Sequence, residues 1–163
     1  MSLDGDISLL KRVPLFADLP TEQLRLIAFS AVRLELVAGQ VLFRAGAKAP
    51  CGYVVSSGKL EMTVGEGAKI EVVATAEAGT LVGEVALFIE TKRPATATAL
   101  VPSQVIEIDR KLITRMLNEY PQIALKMRAT LTDRLTATIF DLGKVRQTLA
   151  RIDRMAPPPR RSG

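Results

Sequence analysis

The stretch Tyr53-Val54-Val55-Ser56-Ser57-Gly58-Lys59-Leu60-Glu61-Met62-Thr63-Val64 decides the fold. An aromatic and two β-branched residues run into a Ser-Ser-Gly turn. Leu60, Met62 and Val64 then alternate with Lys59, Glu61 and Thr63. That is strand, turn, strand. The same punctuation continues outward. Towards the N-terminus, Val32, Leu34 and Leu36 alternate with Arg33 and Glu35, Ala38-Gly39 turns the chain, and Val41 and Phe43 alternate again. Gly46 to Gly52, with Pro50-Cys51 inside it, reads as a loop. Towards the C-terminus, Gly65-Glu66-Gly67 leads into a strand from Ile70 to Thr75, and Gly79 precedes Leu81-Val82. Ala95 to Val101 and Val105 to Ile108 complete the set. Seven or eight short strands at a spacing of about 8–12 residues describe a sandwich or barrel, not an α/β sheet.

Helices flank this β region, so the class expected is mainly β with flanking helices (α+β). Ile7, Leu9, Leu10 and Val13 form a short apolar face that ends at Pro14. A second helix fits Glu22 to Phe29, with Leu24, Ile27 and Ala28 inward. Asp109 is a good N-cap for a helix from Arg110 to Asn118. Pro121 suits the first turn of a long helix over 121–154, and Pro157-Pro158-Pro159 forbids its continuation. The reading is therefore one domain over 1–156, with its barrel at 32–108, and a disordered Pro/Arg tail at 157–163. On the long helix Leu131, Leu135, Thr138, Leu142, Val145, Leu149 and Ile152 step alternately by 4 and 3. That a/d seam predicts a parallel homodimer through the helix over 128–152. The alternative is packing on the same chain's sheet.

Composition excludes several kinds of chemistry. The 163 residues contain no His and one Cys. His general bases, Ser-His and Cys-His pairs, His metal ligands and multi-cysteine zinc sites are all out. Cys51 has no activating His and reads as incidental. No metal, no cofactor and no enzyme is expected. No apolar run approaches the roughly 18 residues of a membrane span, and the acidic start Asp4-Gly5-Asp6 does not resemble a secretion signal. A cytoplasmic protein is expected, with no membrane partner. The net charge of +5 is uneven: residues 109–163 carry 12 basic and 5 acidic side chains. A solvated helix face accounts for such a run, as does an acidic partner.

One segment between strands is different: Gly83-Glu84-Val85-Ala86-Leu87-Phe88-Ile89-Glu90-Thr91-Lys92-Arg93-Pro94-Ala95-Thr96-Ala97. It reads as a loop with a short helix anchored by Val85, Leu87 and Phe88. Backbone N–H groups at the start of a helix favour an anion. Arg93 reaches the same space, and Arg pairs bidentately with phosphate at any ordinary pH. Glu84, acceptor-only when ionised, suits a sugar hydroxyl. Together they describe a site for a sugar phosphate bearing one negative charge. The plain alternative is that Glu84 and Arg93 pair with each other.

Gly83-Glu84-Val85-Ala86-Leu87 and Arg93-Pro94-Ala95-Thr96 match, without a gap, the phosphate-binding cassette of the cyclic-nucleotide-binding domains. The chain thus resembles the family of the catabolite activator protein, protein kinase A regulatory subunits and cyclic-nucleotide-gated channels. The likeness extends over about residues 7 to 150. It takes in Val13-Pro14-Leu15-Phe16, the glycines at 39, 46, 58 and 79, and the helix after the barrel. The resemblance implies a jelly-roll β-barrel with N-terminal helices and a long C-terminal helix. It implies that Glu84 accepts the ribose 2′-OH and Arg93 pairs with the cyclic phosphate. The N–H groups of Ala86 and its neighbours, Val85 and Ala95 among the flanking positions, complete the cradle, and Gly83 permits close backbone approach. Thr138 is the position that would meet the adenine edge.

Pro94 departs from the pattern. The family usually has Ala, Ser or Thr there, whose N–H helps hold the phosphate, and Pro has none. A lost bond to a charged group weakens affinity by about 1.5–3 kcal/mol. A Thr at this position is associated with cGMP, so its absence favours cAMP over cGMP. No recognition helix fits after Arg154, so sequence-specific DNA binding is not expected. The resemblance implies a cyclic-nucleotide sensor or regulatory domain acting through a dimer or an unknown protein partner. The rival is a scaffold of the same fold that no longer binds nucleotide.

Overall fold

The structure is a computed structural model, and it describes residues 3–136. Two helices open the chain, α1 (Leu3–Lys11) and α2 (Thr21–Ser30). Eight strands follow: β1 (Val32–Leu36), β2 (Val41–Phe43), β3 (Cys51–Ser57), β4 (Lys59–Val64), β5 (Glu71–Glu77), β6 (Leu81–Val82), β7 (Thr96–Ala99) and β8 (Ser103–Asp109). Helices α3 (Arg110–Glu119) and α4 (Pro121–Thr136) close the described chain. The strands form two antiparallel four-stranded sheets, ordered β1-β8-β3-β6 and β2-β7-β4-β5. This is the expected two-sheet jelly roll with flanking helices. The residues of the seam beyond Thr136, Thr138 included, and the tail lie outside the described residues.

Strand alternation builds two cores. On β3, Tyr53 and Val55 join Leu36, Leu60, Val82 and Val105 between the sheets. Val54, from the opposite face of β3, joins Ile106 and Ile108 beneath Leu10, Phe16, Ile27, Ile113 and Met116 of the helical layer. Burial on both faces is why Tyr53-Val54-Val55 carries no polar interruption. Asp109 caps α3 as expected, its carboxylate accepting from the Lys111 N–H at 2.8 Å. Ile123, Ala124 and Met127 bring the first two turns of α4 onto the helical core. Among the described residues no helix is long and apolar enough to cross a membrane.

Two expectations are corrected. Val32 is exposed, not inward; it opens β1, an edge strand whose burial rises only towards Leu36. Cys51 and Gly52 belong to β3, not to a loop: Cys51 pairs with Asp109 and Gly52 with Ile108. Gly52 marks a close approach. A Cβ built there meets the Leu87 side chain at 3.2 Å and the Gly83 carbonyl oxygen at 3.3 Å.

Candidate functional site

The segment over 83–97 folds back against β3. A single 3-10 turn spans Glu84–Leu87, and Leu87 and Phe88 are fully buried beneath it. These two side chains fix the turn on the helical core, as their spacing predicts. At its far end the segment is clamped by the loop after β2. The Gly46 N–H donates to the Arg93 carbonyl oxygen and the Arg93 N–H to that of Ala47, both at 2.8 Å. The Ala49 N–H donates to the Thr91 carbonyl oxygen at 2.9 Å. Thr96 adds its hydroxyl oxygen, which accepts from the Ala45 N–H at 3.0 Å. Arg110, the first residue of α3, ties both sides together. Its N–H donates to the Pro50 carbonyl oxygen at 3.1 Å, and its guanidinium donates to that of Ile89 at 2.9 Å.

These clamps drive the Arg93 side chain inward, where it is only 4% exposed. Its Nη2 donates to the Cys51 carbonyl oxygen at 2.7 Å and lies 3.5 Å from the Cys51 Sγ. Its Cζ sits 4.3 Å from the centroid of the Phe43 ring and 5.4 Å from that of Tyr53. The two rings stack at 5.9 Å with 22° between their planes. Nε and Nη1 of Arg93 are buried and find no hydrogen-bond partner among the described residues. An arginine charge removed from water with two donors uncommitted is costly and is kept where an anion completes it.

Gly83 stands against this guanidinium. Its φ of +80° lies in the left-handed region, and a Cβ built there meets the Arg93 Nη1 at 2.5 Å. Glycine is therefore required twice, for the turn and for the space. Glu84, half-buried, follows directly and opens the 3-10 turn. The Ala86 N–H donates to the Gly83 carbonyl oxygen at 3.1 Å, so the turn itself uses this donor. Val85 is half-buried, Ala95 buried and Pro94 exposed. The fold thus gathers Gly83, Glu84, Val85, Ala86, Arg93 and Ala95 in one segment folded on β3, with Pro94 at its surface. Thr138 lies outside the described residues.

Sequence reasoning missed Cys51, Gly52, Phe43 and Tyr53 as members of this site. Cys51 donates its thiol proton to the Glu107 carboxylate at 3.2 Å. Burial, above all, pushes the Cys51 thiol and the Tyr53 phenol up from their ordinary values. Both are neutral at physiological pH, so neither is a counter-ion for Arg93.

A family model for the cyclic nucleotide-binding domain matches residues 33–120. Among solved structures, a cyclic nucleotide-binding-like protein from Brucella abortus is 38% identical, with a TM-score of 0.64, over 70% of this chain and 98% of that one. The N-terminal domain of a transcriptional regulator from Streptomyces coelicolor is 29% identical, with a TM-score of 0.72, over 79% of this chain and 91% of that one. Among curated proteins, a lysophospholipase NTE1 from Chaetomium globosum is 28% identical over 116 residues, 71% of this chain. The chain spans only 8% of that relative's length.

Proposed function

The chain belongs to the cyclic nucleotide-binding domain family, a regulatory fold, and from that premise we propose that it is a cyclic-nucleotide sensor. Arg93 pairs with the cyclic phosphate, Glu84 accepts the ribose 2′-OH, and Gly83, Val85, Ala86 and Ala95 shape the backbone around them. The observation that carries this reading is the buried guanidinium of Arg93 with Nε and Nη1 uncommitted. A cyclic phosphodiester brings one negative charge and acceptor oxygens to those donors. cAMP is favoured over cGMP, because Pro94 offers no hydroxyl to a guanine edge. Thr138, outside the described residues, is the position proposed to meet the adenine edge. Output passes through a homodimer seam over 128–152 or through a protein partner, in the cytoplasm, and the domain performs no catalytic step. A ligand shifts such a helix only by binding one of its positions more tightly than the other.

A specific observation favours the rival reading, a scaffold that binds no nucleotide. Pro94 has no N–H, and the Ala86 N–H is taken by Gly83. Two donors of the cradle are thereby absent. Calorimetric titration of cAMP and then cGMP into wild type and Arg93→Ala decides between them. The sensor requires saturable binding by wild type and at least a tenfold loss in the variant, the worth of about 1.5–3 kcal/mol. No heat from a folded wild type at millimolar ligand leaves the scaffold.

A further inference from the structure

Among the described residues the side-chain contacts of Arg93 are neutral. The carbonyl oxygen and thiol of Cys51 meet one nitrogen, and the faces of Phe43 and Tyr53 meet the guanidinium carbon. A buried charge persists only when something compensates it, and the usual compensator is a carboxylate. Glu107, paired across the sheet with Tyr53, is a carboxylate close to this cluster. It accepts from the Cys51 thiol, and the thiol stands between it and the guanidinium.

We propose that Phe43 and Tyr53 are positioning residues of the anion site: their stacked rings hold the Arg93 guanidinium buried and charged without committing it to a carboxylate. The inference rests on the reading that Arg93 takes the phosphate. Its logic is geometric. Aromatic faces attract a cation through their quadrupole. Here the ring faces lie against the guanidinium carbon and take up none of its N–H donors, two of whose nitrogens have no partner among the described residues. An incoming anion therefore meets open donors and displaces nothing from the rings. A resting ion pair, by contrast, has to be broken before phosphate enters. The raised pKa of the Tyr53 phenol fits this role, because a neutral ring beside the cation does not become its counter-ion.

The test uses the full chain and the variants Phe43→Leu, Phe43→Tyr and Tyr53→Leu. Phe43→Leu keeps apolar bulk and removes the π face, and Phe43→Tyr restores it. Calorimetry with cAMP should show affinity lowered about fivefold in Phe43→Leu and Tyr53→Leu, and retained in Phe43→Tyr. In nuclear magnetic resonance the Arg93 Nε–Hε signal, displaced by ring currents in wild type, should return towards the ordinary arginine position in Phe43→Leu and Tyr53→Leu but not in Phe43→Tyr. A packing role alone lowers the Tm of Phe43→Leu but leaves affinity at the wild-type value, and that result overturns the proposal. If wild type binds no cyclic nucleotide, the sensor reading falls separately. Inorganic phosphate titrated against the Arg93 signal then decides: a stronger response in wild type than in Phe43→Leu supports the platform, and equal responses overturn it.

Discussion

Replacing Gly83 with Ala separates backbone strain from site geometry, because Gly39 provides a matched control. Both residues are left-handed, with φ of +80° at Gly83 and +85° at Gly39. A side chain in that region costs about 1–2 kcal/mol. The surroundings differ. A Cβ at Gly39 meets nothing within 4 Å, whereas one at Gly83 falls 2.5 Å from the Arg93 Nη1. The guanidinium is the end of a flexible side chain, so it moves and the backbone stays. Movement pulls it from the Cys51 carbonyl oxygen, now 2.7 Å away, and from the Phe43 face. Gly39→Ala should therefore lose about 1–2 kcal/mol of stability in urea unfolding and keep its ligand affinity. Gly83→Ala should lose at least as much stability and, in addition, about tenfold or more in affinity for cAMP, the value of one charge-assisted hydrogen bond. The reasoning fails if Gly83→Ala binds as tightly as Gly39→Ala.

Alkaline pH should destabilise the fold through Cys51 and Tyr53. Their folded pKa values are raised above 9.0 and 10.0 by burial, so the native state holds protons that the unfolded chain releases. Stability is then intact below pH 9 and falls as pH rises through the folded values, by at most about 1.4 kcal/mol per pH unit for each group. Urea midpoints from about pH 8 to pH 10 read this slope, which Cys51→Ala should reduce; a flat wild-type profile refutes it. Arg110→Met should lower stability by about 1 kcal/mol, because the Ile89 carbonyl oxygen loses its 2.9 Å donor. An unchanged urea midpoint in that variant shows that the tie between α3 and the 83–97 segment contributes nothing.

What the sequence revealed and what it concealed follow a physical division. Alternation of Leu60, Met62 and Val64 marks which face of a strand is apolar, and that is a local property. So is the Asp109 cap, whose bond reaches only to Lys111. Arg93 and Glu84 were readable because a short motif holds them nine positions apart. Asp6 was not. It reads as part of an acidic terminus, yet α1 buries it at 1% exposure and Arg33 of β1 donates to it. Gly52 was misread for a related reason. A glycine beside a proline looks like loop punctuation, whereas here it admits the Leu87 side chain against β3.

The concealed part matters most at Arg93, because the state of a buried charge is set by which groups surround it, and no local pattern encodes that. Phe43 and Tyr53 lie 50 and 40 residues before Arg93 in the chain. Either ring would satisfy a core position without any cation nearby. Three alignments bring them together: Tyr53 opposite Glu107 on β8, the loop after β2 bridged to residues 91–93, and Gly83 leaving room for Nη1. Shifting any one register by a residue turns its side chains to the other face. Arg93 would then leave the rings, or Glu107 would take the place of the Cys51 thiol beside it. A motif thus specifies that an arginine is present. Strand register decides whether that arginine is spent on an internal carboxylate or stays open to an anion from outside.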